Sequence, residues 1–149
     1  MKFPLHYGLV LALAFVLTSL ATPLIAAETK VGPTNGRLLT SAEPHVEFLV
    51  NAEKKVELRF VDKGGKIVPP GEQEITVLLG ERSKPTKLTF SKEEDKLVSD
   101  KEIPEGNNYP TVVQIREKAG AKPVNERFNL NQTVCSGCSN PEYSCKCGH

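Results

Sequence analysis

Two short runs decide the fold: VEFLV at residues 46–50 and VELRF at residues 56–60. In the second run, three apolar residues alternate with two charged ones. Side chains along a strand point alternately to its two faces, so this pattern predicts a strand with one apolar and one charged face. The polar residues 51–54 between the runs predict a hairpin loop, and Gly64 and Gly65 predict the turn that follows.

Similar runs continue along the chain. Further β-rich segments lie at residues 74–79, 87–90, 96–99, 111–115 and 124–130. Gly, Pro, Asn and Asp separate them, as in proteins whose short strands recur at about ten-residue spacing. The pattern therefore predicts an all-β fold, and we expect an immunoglobulin-like antiparallel β-sandwich of seven or eight strands over residues 44–130. A closed barrel built from the same strands is the alternative.

Residues 1–27 have the features of a cleavable secretory signal peptide. Lys2 supplies a positive start, GLVLALAFVL at residues 8–17 supplies an apolar core, and small residues end the segment. We therefore expect cleavage after Ala27 and a periplasmic or secreted location. An uncleaved membrane anchor is the alternative, because the apolar segment approaches the length that spans a bilayer. Residues 28–43 are expected to form an extended N-terminal arm.

Composition limits what the mature chain does. Removal of 27 of the 149 residues leaves 122, the size of one domain. The removed part holds one of the 19 basic residues and none of the 18 acidic ones, which leaves 18 of each. That balance argues against a nucleic-acid surface, and we expect no membrane span after cleavage. No Ser-His-Asp triad or pair of catalytic carboxylates is evident, so we expect a protein that is not an enzyme.

The C-terminal segment, residues 131–149, is a Cys-rich tail without strand periodicity. Its potential metal ligands are Cys135, Cys138, Cys145, Cys147 and His149. The Cys-x-x-Cys spacing lets two sulfurs reach one ion from a single turn, and Cys-x-Cys-Gly-His brings two more sulfurs and an imidazole. Zinc takes four such ligands in a tetrahedron, whereas copper(I) selects thiolates and usually needs two or three. The tail therefore predicts a zinc or copper(I) site with the four cysteines as thiolate ligands. His149 would either replace one of these thiolates or complete the ligand set.

An oxidising compartment leaves two other roles open for these cysteines. Exported cysteines normally form disulfides, and four of them allow three pairings. Bridges between the first and second cysteine pairs would staple the tail, and the protein would then be an envelope interaction module that binds through sheet edges or the arm. A redox-active pair is the third alternative, but it needs a thiol of depressed pKa at a helix N-terminus, and the sequence predicts no helix there.

Residues 32–39 (GPTNGRLL) and 44–50 (PHVEFLV) resemble the opening of small, largely uncharacterised exported bacterial proteins. Their G-P-x-G-G-R…H-V-E-F pattern is similar to a stretch found near periplasmic adaptor subunits of heavy-metal efflux pumps. Asn35 stands where a glycine is usual in that pattern. The resemblance implies a β-sandwich fold and a place in metal homeostasis, and it identifies no activity.

Overall fold

The computed structural model of the protein describes residues 29–147, so the proposed signal peptide and His149 lie outside the described residues. The strands are β1 (Arg37–Leu39), β2 (His45–Val50), β3 (Lys55–Val61), β4 (Ile67–Val68), β5 (Glu74–Leu79), β6 (Thr86–Leu88), β7 (Phe90–Glu93), β8 (Lys96–Glu102), β9 (Tyr109–Arg116) and β10 (Val124–Leu130). One short 3₁₀ helix follows at Glu142–Ser144. Within the described range, no helix has the length and apolar character needed to cross a bilayer.

These strands form two antiparallel sheets. The six-stranded sheet has the order β1-β2-β3-β8-β7, with β4 beside the end of β3, and the four-stranded sheet has the order β10-β9-β5-β6. Buried apolar side chains from both sheets form one core. The predicted all-β fold of two antiparallel sheets is therefore confirmed, while the narrower likeness to immunoglobulin domains stays a prediction.

The alternating run at residues 56–60 places β3 at the centre of the core. Its three apolar side chains are fully buried, and burial of each stabilises the fold by about 1.5–3 kcal/mol. Leu58 lies opposite Phe48 of β2. The ring of Phe48 meets that of Phe128 edge-on with 5.2 Å between centroids. Because Phe128 belongs to the four-stranded sheet, this aromatic pair joins the two layers.

Residues 29–147 contain ten strands where the sequence predicts seven or eight. The single strand expected at residues 87–90 is divided at Thr89, because β6 pairs with β5 in one sheet and β7 pairs with β8 in the other. Asp100 fixes the backbone of Thr89, where the chain passes from one sheet to the other. The Asp100 carboxylate accepts the Thr89 N–H at 2.9 Å, and the Asp100 N–H donates to the Thr89 carbonyl at 2.8 Å. Periodicity does not reveal this change of sheet, since both sheets impose the same alternation.

Part of the segment expected to be an N-terminal arm lies in the six-stranded sheet. Residues 37–39 form β1, which pairs with β2. Ahead of β1 the chain closes over the side chain of Glu47, which is fully buried. Its Oε1 accepts the backbone N–H of Thr34 at 2.8 Å and that of Gly36 at 2.9 Å. The carboxylate therefore fixes the path of the chain into β1.

This close approach explains the glycines of the GPTNGR segment. A Cβ on Gly32 would lie 2.5 Å from the carboxyl carbon of Glu47, and one on Gly36 would lie 2.6 Å from the carbonyl oxygen of Phe48. Asn35 between them has a φ of 66°. Asparagine is among the few residues besides glycine that adopt this left-handed conformation readily. Asn35 therefore occupies a position whose backbone conformation also suits a glycine.

A second buried carboxylate, Glu57, lies on the charged face of β3. One of its oxygens accepts Nη2 of Arg59 at 2.7 Å, and the other accepts Nζ of Lys96 at 2.9 Å and Nδ2 of Asn51 at 3.1 Å. Burial alone would raise the pKa of Glu57. The hydrogen bonds from Lys96 and Asn51 and the charge of Arg59 lower this pKa by more than burial raises it. The pKa of Glu57 therefore lies below its ordinary value.

We expect Glu57 to stabilise the fold at neutral pH and to lose this stabilising effect in acid. A carboxyl whose pKa is lower in the folded than in the unfolded protein stabilises the fold above its unfolded-state pKa, and this contribution is lost as the pH falls through the folded-state pKa. Glu57→Gln should lower the free energy of unfolding at neutral pH by about 1–3 kcal/mol and flatten the acid dependence. Urea unfolding at a series of pH values measures both effects, with the exposed Glu93→Gln as the control. An acid dependence unchanged by Glu57→Gln would contradict this expectation.

Candidate metal centre

The Cys-rich tail folds back against the sandwich after β10. The backbone N–H of Glu142 donates to the carbonyl of Thr133 at 2.9 Å. Between them, Val134 and Pro141 form an isolated antiparallel bridge. The loop that these contacts close brings the Cys-x-x-Cys and Cys-x-Cys segments together.

Tyr143 of the 3₁₀ helix attaches the tail to the core. Its side chain is 2% exposed, and its ring meets that of Phe48 edge-on with 5.9 Å between centroids. The hydroxyl accepts the backbone N–H of Val50 at 3.0 Å, and burial raises the pKa of Tyr143 despite that bond. From β1, Nη1 of Arg37 donates to the carbonyl of Tyr143 at 3.2 Å. The tail is therefore continuous with the sandwich core.

Local hydrogen bonds shape the turn that carries the first cysteine pair. The N–H of Ser139 donates to the carbonyl of Cys135 at 3.0 Å, and the N–H of Cys135 donates to the carbonyl of Asn140 at 2.8 Å. Ser139 has a φ of 61°, which lets the chain reverse directly after Cys138. The second pair begins where the 3₁₀ helix ends, and there the N–H of Cys145 donates to the carbonyl of Glu142 at 3.2 Å.

The four cysteines of the tail, hereafter the cysteine cluster, place their sulfurs within 4.8 Å of one another. The Sγ atoms of Cys135 and Cys145 are 3.2 Å apart, those of Cys138 and Cys145 are 3.5 Å apart, and those of Cys135 and Cys147 are 3.8 Å apart. None of the four is joined in a disulfide. The sulfurs therefore form one compact group, and the two separate pairs of a disulfide-stapled tail are not seen.

The cysteine cluster fits a tetrahedral thiolate-bound ion. Zinc binds sulfur at about 2.3 Å, so the sulfurs of an ideal tetrahedron lie about 3.8 Å apart. Three of the six sulfur–sulfur separations, from 3.2 to 3.8 Å, are at or somewhat below that value, and the other three are no longer than 4.8 Å. Thiolate sulfur is also the donor that zinc and copper(I) select over carboxylate oxygen. The cluster is therefore compatible with metal binding in both donor type and spacing.

Backbone N–H groups surround the sulfurs. Gly137 donates to Sγ of Cys135 at 3.4 Å, and Cys147 donates to Sγ of Cys145 at 3.3 Å. Hydrogen bonds from the N–H groups of Asn140 and Lys146 lower the pKa of Cys138. These donors stabilise negative charge on sulfur, as a thiolate-bound metal site requires.

The sulfurs also oppose one another's ionisation. The hydrogen bond from the N–H of Cys147 lowers the pKa of Cys145. Contacts of the Cys145 thiol with those of Cys135 and Cys138, together with burial, outweigh this bond and raise the pKa of Cys145 to about 12. Contact with the Cys138 sulfur is the largest cause that raises the pKa of Cys147. A bound cation removes this conflict, because it neutralises the charge that accumulates when several thiols ionise at one point.

The structure thus brings together all four cysteines that the sequence predicts as ligands, while His149 lies beyond the described residues. Two residues that matter to the site have no ligand chemistry: the cysteine motifs do not indicate Tyr143, and they indicate Gly137 only as part of the bend between Cys135 and Cys138. Tyr143 anchors the tail, and Gly137 lies against the sulfurs. A lone aromatic residue in an otherwise polar segment is the signal that could have indicated Tyr143.

A groove of about 630 Å³ lies elsewhere, over the outer face of the four-stranded sheet. Leu78 and Val112 form part of its floor, and Arg82 and Arg127 are among the residues that line it. Its lining contains no cysteine, so this groove is separate from the candidate metal centre.

Comparisons of the chain with protein-family models, curated proteins and solved structures find no match. The function is therefore inferred from the four sulfurs and their surroundings. The resemblance of residues 32–39 and 44–50 to the opening of small exported bacterial proteins stays a prediction.

Proposed function

We propose that this protein is an exported, non-enzymatic metal-binding protein that captures zinc or copper(I) through the cysteine cluster and serves metal homeostasis or efflux. The observation that carries the proposal is the convergence of four sulfurs within 4.8 Å. Export is supported by the n-region, apolar core and small-residue end of residues 1–27. The resemblance of residues 32–39 and 44–50 to a stretch found near periplasmic adaptor subunits of heavy-metal efflux pumps supports the physiological role.

Zinc is the ion that the ligand number favours. Zinc in structural sites takes four ligands, and Cys₄ is one of its common sets. Copper(I) usually binds two or three thiolates, which would leave one or two sulfurs of the cluster without a role. His149 can replace one thiolate in a Cys₃His set, a combination that zinc also accepts. Because metal binding displaces thiol protons, the apparent affinity falls as the pH drops.

We expect the reduced protein to bind one zinc ion per chain and Cys145→Ser to bind it far more weakly. Removal of a residue that only hydrogen-bonds to a metal ligand already lowers metal affinity by roughly 10–100-fold, so loss of a buried ligand should lower it by at least ~100-fold. Native mass spectrometry after zinc addition measures occupancy, and cobalt(II) reports tetrahedral thiolate ligation through its d–d and charge-transfer bands. Ser136→Ala is the control, because Ser136 is exposed within the same turn. A reduced, zinc-treated wild-type protein without a metal adduct would refute the proposal.

The alternative function is an envelope interaction module with a disulfide-stapled tail. Mass spectrometry of the exported protein distinguishes it, since that form would have the mass of a fully oxidised chain and would bind no metal after reduction. Truncation after Leu130, a simple test from the sequence alone, would also remove the buried Tyr143. Cysteine substitutions are therefore the better comparison, because they leave the core contacts of Tyr143 in place.

A further inference from the structure

The four ligands of the cysteine cluster are not equally accessible. Cys135 is 1% exposed and Cys145 is 6% exposed. Cys138 is partly exposed, and Cys147 is exposed. An ion held at this point therefore has two ligands on the protein side and one ligand, Cys147, that an incoming molecule can reach directly.

Backbone anchoring follows the same gradient. Cys135 is held by hydrogen bonds of both its N–H and its carbonyl within the 135–140 turn, and Cys145 is held by the carbonyl of Glu142. The N–H of Cys147 donates instead to the sulfur of Cys145 at 3.3 Å. Among the described residues, the N–H of Cys147 is thus bonded within the cluster, whereas Cys135 and Cys145 are also held by the surrounding turn and helix.

Gly137 makes room for the sulfur of Cys147. A Cβ on Gly137 would lie 3.0 Å from Sγ of Cys147 and 3.8 Å from Sγ of Cys135. The first distance is shorter than an ordinary van der Waals contact, and the second is an ordinary one. A methyl group at this position would therefore displace Cys147, whose side chain is exposed and able to move, and would leave Cys135 in place.

Given the metal site of the proposed function, we propose that Cys147 is the exchangeable ligand through which the cysteine cluster passes its ion to a thiolate-bearing acceptor. The acceptor sulfur forms a new bond to the metal as the bond between the metal and Cys147 breaks. Cys147 then takes a proton from solvent, and no electron is transferred. The second acceptor thiolate then displaces Cys138, and the bonds to Cys135 and Cys145 break last, as water fills the two remaining positions on the ion. Each released cysteine takes up a proton from solvent. The partner is accordingly a protein or peptide that offers two neighbouring cysteines.

The test measures zinc transfer from the reduced, zinc-loaded protein to a synthetic Cys-x-x-Cys peptide, by rapid separation and elemental analysis of both molecules. The rate of zinc transfer from the wild-type protein should increase linearly with peptide concentration, because the acceptor takes part in the exchange. Gly137→Ala keeps all four thiols and should transfer about tenfold faster, in line with the roughly 10–100-fold effect of a lost supporting contact at a metal site. Cys147→Ser should still bind zinc, more weakly than wild type but more tightly than Cys145→Ser.

Ser136→Ala serves as the matched control and should transfer zinc at the wild-type rate. A transfer rate that does not depend on peptide concentration, or equal rates for wild type and Gly137→Ala, would overturn the inference and leave the proposed function intact. Equal zinc affinities of Cys147→Ser and Cys145→Ser would overturn it as well. Absence of zinc binding by the wild-type protein would overturn the proposed function together with this inference.

Discussion

Zinc should raise the melting temperature of the entire β-sandwich. A ligand that binds only the folded state at about 1,000 times its Kd stabilises that state by about 4 kcal/mol. For a domain of this size, each kcal/mol corresponds to a shift of roughly 3–5 °C, so we expect an increase of about 10–20 °C. The gain reaches the core because Tyr143, two residues before Cys145, packs on Phe48 and binds the N–H of Val50. Zinc binding would thereby be coupled to folding of the sandwich.

Differential scanning calorimetry of the reduced protein, with and without zinc, measures this shift. At the same zinc concentration Cys145→Ser should show a much smaller increase, while Ser136→Ala should match the wild type. Binding of zinc to thiols of the unfolded chain would make the shift smaller than the full value. Zinc that binds stoichiometrically but leaves the melting temperature of the sandwich unchanged would show that the tail folds independently of the core.

Tyr143→Ala should be among the most destabilising single substitutions in the chain. Removal of a buried aromatic side chain costs about 3–5 kcal/mol through lost contacts and the cavity left behind. Tyr143→Phe keeps the ring but leaves the N–H of Val50 without its acceptor, which should cost about 1–3 kcal/mol. Urea unfolding of the zinc-free proteins measures both losses and separates packing from hydrogen bonding.

Tyr143→Ala should also weaken zinc binding, although Tyr143 is not a ligand. Without the Tyr143 side chain, the 3₁₀ helix is no longer held by the core. Cys145 directly follows that helix, so its position would be less well fixed. Tyr143→Phe should bind zinc nearly as tightly as the wild type, because the ring still holds the helix. A Tyr143→Ala protein that loses less than about 1 kcal/mol of stability, well below the usual cost of such a cavity, would contradict the proposed anchoring.

Much of the fold is predictable because strand periodicity is a local property. The alternation at residues 56–60 identifies β3 and its buried face correctly, and the polar segment 51–54 is the loop between β2 and β3. The division of one expected strand at Thr89 is not predictable in this way. Strand propensity reports an extended backbone, whereas membership of a sheet depends on partners that are distant in the sequence.

The candidate site shows the same division. Cysteine spacing alone predicts the ligand set, since sulfurs two or three residues apart reach one point from a single turn. Spacing does not predict that the tail is docked, because the contacts of Tyr143 with Phe48 and Val50 span more than ninety positions. Gly137 is equally hidden, since its role arises from a sulfur ten residues further along the chain.

The sequence by itself determined the all-β class, the central strands and the identity of four sulfur donors, all of which follow from residue type and short-range spacing. Only the tertiary structure decided that the four sulfurs converge, that Cys135 and Cys145 are buried while Cys147 is exposed, and that the tail is joined to the core. The physical reason is that convergence and burial depend on which distant surfaces pack together. That choice is made by the whole set of core contacts, and no single segment encodes it.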